Sequence, residues 1–451
     1  MPRALAQILC LAFIAWLWYR DYRNRPGLSP ALWLPVLWLL VLGSRPLSFW
    51  FGISSPESDL EGNSFDRTIY FVEILASIGI LSRRRLVWGQ VIRENWPIFI
   101  FYSFLLASVL WADDSFVTFK RWFKDIGAIP LMLLILTDND PFMALDAVFL
   151  RCAYVLLPLS VLFIKYIPEL GRSYTAEGEV GYGGVTQQKN SLGEIVLVFS
   201  LFLVWRMFRL HDLTSGRWLG RQNWLTWMIL AMGGWLLWIS NSMTATLCLI
   251  LGICILISYK LPLFRSNSRY VLIAFLIIIP GFLAANKAFD LADELLPLIG
   301  RNPTLTNRTD IWQSVMEHPV DPVFGCGYLM YWDLHRTIEI DGNPVMLKTA
   351  HNGYLEIYLD GGWLGIGFLV LMLLALGARA SHAIVTGTHY GRLQFAFFVV
   401  MLIYNMSESM YARRSPLWFC FLLFSLKASH LYVDEPKPDH ELMGSAATAT
   451  A

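Results

Sequence analysis

Charge is in short supply along this chain, and what there is nearly cancels: 35 Lys and Arg against 34 Asp and Glu leave a net charge of +1. No field of one sign extends over the molecule, so nothing marks a nucleic acid or a strongly acidic partner. No nucleic-acid-binding module is recognisable either. Cysteine is sparse too. Cys10, Cys152, Cys248, Cys254 and Cys420 lie in apolar runs, and Cys326 alone falls in the large polar loop. That excludes a disulfide within the loop and any thiolate zinc site. HExxH and G-x-S-x-G signatures are missing, which sets aside zinc-peptidase and nucleophile-elbow chemistry. His318, His335 and His351 share a loop region but lack metal-ligand spacing, so the expectation is a site with no metal and no cofactor.

Hydrocarbon fills the chain instead. Apolar residues make up 56% of it and mean hydropathy is +0.51, which identifies a polytopic membrane protein. Apolar runs occur at 4–19, 31–52, 68–82, 95–112, 116–137, 143–167, 190–208, 223–241, 243–260, 270–287, 353–378, 393–409 and 415–431. Measured against roughly 17–25 residues per crossing, they predict about 12 or 13 membrane helices, with one of the first two runs a candidate re-entrant segment. The start, MPRALAQILCLAFIAWLWYR, has no small-x-small cleavage site and reads as a retained helix rather than a signal peptide.

Basic residues orient the spans. Arg20, Arg23 and Arg25, the triplet Arg83 to Arg85, Arg206, Arg209, Arg217 and Arg221, and Lys260, Arg265 and Arg269 fall on alternate connections, which are therefore cytoplasmic. The expected fold is an all-α membrane helix bundle with one large outward-facing loop of short helices. Its divisions are an N-terminal bundle over 1–287, the loop over 288–352, C-terminal membrane helices over 353–432, and a cytoplasmic tail over 433–451 that is polar and then Ala/Thr-rich and reads as disordered. No internal repeat is evident, and inverted repeats would have favoured a transporter.

The stretch TAHNGYLEIYLDGGWLG, Thr349 to Gly365, closes the polar loop and opens a new apolar run. His351 and Asn352 fall at a helix N-terminus, where unpaired backbone N–H groups favour an anion such as phosphate. The spacing carries Tyr354, Leu355, Tyr358 and Leu359 onto neighbouring faces. Gly361 and Gly365 form a small-xxx-small pair that lets another helix approach. Upstream, TNRTDIWQSVMEHPVDPVFGCGY predicts a short helix with Asn307 as N-cap and an end before Pro319. Arg308 then sits in the first turn, where the helix dipole disfavours a cation and an anion would resolve the conflict. In EGEVGYGGVTQQKNSLGE, glycines lead into Lys189 and Asn190; this is not a P-loop. Lys189 is either a phosphate contact or an interfacial lysine snorkelling to water. Lys120, Arg121 and Lys124 run against the positive-inside bias, which makes them a functional hypothesis or a sign of a local topology error. Arg413 and Arg414 lie near Glu408, with which an ion pair is expected.

These motifs carry a resemblance. His351 and Asn352, nine residues, Gly362, two residues and Gly365 are similar to the signature of the bacterial O-antigen ligase and polymerase superfamily. The Arg308 stretch resembles its Asn/Gly-Arg-x-x-x-Trp loop motif, and KN-x-L-G at 189–193 resembles a third segment. In NSMTATL, the arginine common in the family is missing. The resemblance implies an inverting glycosyltransferase in the bacterial inner (cytoplasmic) membrane with its site facing the periplasm or exterior. Such an enzyme transfers a glycan from undecaprenyl pyrophosphate to a hydroxyl of a glycan or lipid-core acceptor amid membrane lipids. The family arginine is held to engage the donor's pyrophosphate. Candidate catalytic residues are thus His351, as base or as pyrophosphate ligand, and Arg308. Candidate substrate contacts are Lys189, Asn190, Arg121, Asn352 and Tyr354. Polymerase and ligase share this architecture, with the long loop favouring an exopolysaccharide-type polymerase. The alternative class is a transporter or flippase of a lipid-linked or anionic substrate.

Overall fold

The computed structural model describes residues 2–53, 63–84, 86–174, 180–213, 224–258, 308–318, 320–335, 337–340 and 343–427. The expected span at 270–287, the loop up to Asn307 with its cap, and the tail from Val433 lie outside the described residues. Within them the protein is an all-α polytopic membrane protein. Its helices are α1 (Arg3–Asn24), α2 (Trp33–Leu42), α3 (Leu47–Trp50), α4 (Ser64–Arg83), α5 (Trp88–Glu94), α6 (Trp96–Ala107), α7 (Ser115–Ile126), α8 (Ala128–Leu136), α9 (Pro141–Tyr166), α10 (Pro168–Gly171), α11 (Lys189–Leu213), α12 (Trp224–Ser240), α13 (Met243–Ser258), α14 (Arg308–Glu317), α15 (Tyr331–Leu334), α16 (Gly353–Thr386), α17 (His389–Tyr404) and α18 (Pro416–Ser425). Four of them, α1, α9, α11 and α16, are long and apolar enough to cross a membrane, and shorter apolar helices accompany them. Two small antiparallel hairpins interrupt the helices: β1 (Arg172–Tyr174) with β2 (Val180–Tyr182), and β3 (Thr337–Ile340) with β4 (Asn343–Met346).

The chain divides into two compact units, one of Met1–Glu94, Pro130–Asn241 and Leu426–Ala451 and one of Asn95–Ile129 and Ser242–Ser425. The first is built on α9, which packs against α1, α2, α11 and α12. Asp140 caps this helix by accepting from Met143 N, Pro141 occupies its first position, and nearly every side chain from Ala144 to Cys152 is buried. Charges inside such a unit must be paired. Asp21 accordingly contacts Arg25 at 2.9 Å and Arg151 at 2.8 Å, and Asp146 contacts Arg206 at 3.0 Å.

The second unit packs α16 against α6 and α17, with α13 and α18 flanking α17. Here the small-xxx-small expectation holds: a Cβ on Gly361 would lie 2.7 Å from the Phe104 ring of α6, and one on Gly365 3.3 Å from it. Two expected spans are corrected. The run 31–52 is a short 3-10 turn, α2 and the single turn α3, because Pro46 cannot continue a helix. The run 116–137 breaks at Gly127 into α7 and α8. Lys120, Arg121 and Lys124 thus belong to α7, a separate amphipathic helix and not one continuous span.

Candidate functional site

The site grows from the start of α16. Asn352 is its N-cap, with Oδ1 accepting from Tyr354 N and Leu355 N at 3.0 and 3.1 Å. Gly353 N donates to the carbonyls of Asn405 and Glu408 at 2.8 and 3.0 Å. Glycine is needed there because a Cβ would lie 2.0 Å from Asn405 Oδ1. Asn352 N donates to Ser409 Oγ and Glu356 N to Asn352 O. The first-turn donors are thus satisfied by protein, and the expected backbone anion site at this helix end is not what the structure builds. His351, just outside, is held at φ +51°, a left-handed conformation uncommon for a side-chain-bearing residue.

Long-range packing brings one carboxylate to both candidate catalytic residues. Arg308 NH2 donates to Glu408 Oε1 at 2.7 Å, and His351 Nδ1 lies 3.2 Å from Glu408 Oε2. Glu408 is buried, whereas the Arg308 and His351 side chains keep 13% and 25% of their exposure. The anion that Arg308 lacked in the first turn of α14 is therefore Glu408. The expected pairing of Arg413 with Glu408 is corrected as well: Arg413 NH2 contacts Glu356 Oε2 at 2.5 Å and Asp360 Oδ2 at 3.1 Å. Glu356 and Asp360, four residues apart, share one face of α16. Burial opposes the charge of Arg413, but Asp360 and Glu356 outweigh it and push its pKa up.

The loop before this helix is locked to it by a break in α16. Gly362, at φ +58° and ψ −157°, leaves the helical conformation, and the segment Asp321 to Gly327 enters the gap. Cys326 N and Gly327 N donate to the carbonyls of Leu359 and Asp360, while Trp363 N and Leu364 N donate to those of Pro322 and Val323. The backbone groups freed at the break are thereby satisfied, as burial requires. Arg121 ties the same region down: it pairs with Asp333 at 2.5 Å and donates to Leu329 O. Its guanidinium thus holds the loop in place. Tyr354 donates to Leu402 O at 2.9 Å and receives Tyr411 OH at 3.2 Å, a bracing role. Lys189, exposed, and Asn190 begin α11 in the first unit.

Arg308 and His351 are the sequence candidates that converge. Sequence reasoning missed Glu356, Asp360 and the role of Glu408. Two carboxylates inside an apolar run were a usable signal, since intramembrane acids are costly and usually functional or paired.

With the geometry in place, comparison with known proteins places the chain. A sequence model of the family described as O-antigen ligase matches residues 225–370, a window that contains Arg308, His351, Glu356, Asp360 and Gly362. The chain is also 24% identical over 318 residues to the exopolysaccharide production protein ExoQ of Rhizobium meliloti (strain 1021), covering 67% of this chain and 70% of that protein. The helical membrane architecture and the match across the Arg308 and His351 motifs point the same way: the chain is similar to O-antigen ligases and to an exopolysaccharide production protein.

Proposed function

We propose that this protein is an inverting membrane glycosyltransferase that polymerises a glycan carried on undecaprenyl pyrophosphate, using a hydroxyl of a glycan acceptor, in exopolysaccharide synthesis at the outer face of the bacterial inner membrane. The observation that carries the proposal is the sharing of Glu408 by Arg308 and His351. Likeness to an exopolysaccharide production protein supports the polymer over a lipid-core acceptor. A pyrophosphate leaving group needs charge stabilisation and positioning more than activation. Arg308, already oriented by a buried carboxylate, presents a planar fork for phosphate oxygens. His351 with Nδ1–H toward Glu408 keeps the Nε2 lone pair for a proton. In the step, the acceptor oxygen forms its bond to the anomeric carbon while the carbon–oxygen bond to pyrophosphate breaks. The bonding pair leaves with the pyrophosphate, and the hydroxyl proton passes to His351 Nε2.

A strain lacking the protein tests this against transport. A transferase null retains single lipid-linked units on the outer leaflet, where an external glycosidase trims them in intact spheroplasts. Units protected until the cells are lysed would instead favour a flippase.

A further inference from the structure

Glu356 has no surface exposure, yet its carboxylate is surrounded by protein donors that take the place of water. Its Oε1 accepts from Ala350 N at 2.6 Å, Thr349 Oγ1 at 2.9 Å and Ser409 Oγ at 3.4 Å. Trp332 Nε1 reaches both oxygens at 3.1 and 3.0 Å, and Arg413 NH2 donates to Oε2 at 2.5 Å. The Ala350 N, Trp332 Nε1 and Arg413 NH2 groups are obligate donors, and the two hydroxyls can donate as well, a set suited to a carboxylate acceptor.

Two of these donors act as relays. With its proton directed to Glu356, Thr349 Oγ1 turns a lone pair toward His351 N, which donates to it at 3.2 Å. Ser409 Oγ does the same for Asn352 N at 3.0 Å. The backbone on both sides of the His351 Cα is thus fixed from Glu356 through hydroxyls, which accounts for how a non-glycine residue is kept at φ +51°. Ser409 also adjoins Glu408, so one buried charge holds the imidazole segment and the segment of its carboxylate partner.

We infer that Glu356 is a positioning residue, setting the left-handed backbone of His351 and the seat of Glu408 so that Nδ1 faces the carboxylate. The inference rests on the glycosyl-transfer reading for its activity readout and on geometry for the rest.

The test is a double-mutant cycle on full-length protein in detergent. The donor is the lipid-linked oligosaccharide that accumulates in the strain lacking the protein. Glu356→Gln keeps the shape but places an amide donor among donors. Expected is a fall of about 100-fold in kcat, the scale of a misplaced catalytic group, with the donor KM changed less than about twofold. Expected too is that Glu356→Gln with His351→Ala is no slower than His351→Ala alone, since the two act through one group. Where His351→Ala itself loses activity, additive losses, or wild-type kcat in folded Glu356→Gln, overturn the inference. Should Glu356→Gln fail to fold, Thr349→Val cuts the relay to His351 N alone; a loss of the order of 10- to 100-fold that Thr349→Ser restores is expected, and no loss overturns the inference. Acylation of His351 by diethyl pyrocarbonate, followed by mass spectrometry, separates this inference from the functional reading. A changed rate in Glu356→Gln or Thr349→Val supports positioning even if His351→Ala retains activity and the catalytic reading falls, whereas an unchanged rate overturns positioning whatever the activity does.

Discussion

Arg308 and His351 depend on the same carboxylate for orientation but do different work in the proposed displacement, so their substitutions separate. Arg308→Lys keeps a cation beside Glu408 yet loses the fork that grips two phosphate oxygens. Removing one charge-stabilising donor costs on the order of 100- to 1000-fold in rate, and Arg308→Lys is expected near the lower end with Arg308→Ala at the upper. His351→Ala, removing the base, should lower kcat by on the order of 100- to 10000-fold and leave donor affinity intact. If transfer by folded Arg308→Ala and His351→Ala stays near normal, this pair is not the active centre. Both residues were legible because they sit in short motifs. Glu408 was not legible as their partner, being 57 residues from His351 and 100 from Arg308; that contact exists only once the turn after α17 meets the starts of α14 and α16. The N–H groups at the start of α16 are occupied partly for a related reason: beside the local cap Asn352 Oδ1, their acceptors come from Asn405, Glu408 and Ser409.

At the scale of elements, the break in α16 decides whether the loop carrying Arg308 is docked. Gly362 combines a positive φ with a backbone approach: an added Cβ would lie 2.4 Å from Val323 C and O. Gly362→Ala therefore faces both strain, about 1–3 kcal/mol, and a backbone that cannot move aside without leaving the gap. Gly361→Ala meets a Phe104 ring that can turn, at 2.7 Å, and Gly79→Ala meets nothing within 4 Å. The thermal midpoint in detergent should fall in the order Gly362, Gly361, Gly79, with the last indistinguishable from wild type. Equal midpoints for Gly362→Ala and Gly79→Ala would remove the structural role assigned to the break. Hydropathy located several helices to within a few residues, as at α9, α12 and α13. It failed at 31–52 and 116–137 because apolar content counts side chains, whereas Pro46 and Gly127 act on the backbone. The amphipathic face of α7 was readable in the run 116–137, where Lys120, Arg121 and Lys124 stand three and four residues apart, but the length of the run masked it.

For the whole molecule, the decisive quantity is which side of the membrane the loop of the second unit occupies. The Arg-rich connections predict that it lies outside, and a donor displayed on the outer leaflet requires the same. Met346, on β4, is 69% exposed, and Ser82, at the end of α4 beside the arginine triplet, is exposed too. In a background with the six free cysteines replaced, Met346→Cys should react with an impermeant maleimide in intact spheroplasts, and Ser82→Cys only after lysis. The pair controls for leakiness, because labelling of both before lysis reports broken cells and not topology. Replacement of Ser82 leaves Arg83, Arg84 and Arg85 in place, so the orienting charge is preserved. Met346→Cys protected until lysis while Ser82→Cys reacts outside would put Arg308, His351 and Glu408 on the cytoplasmic face. They could not then meet an outer-leaflet donor, and the proposed polymerisation would fail with the topology.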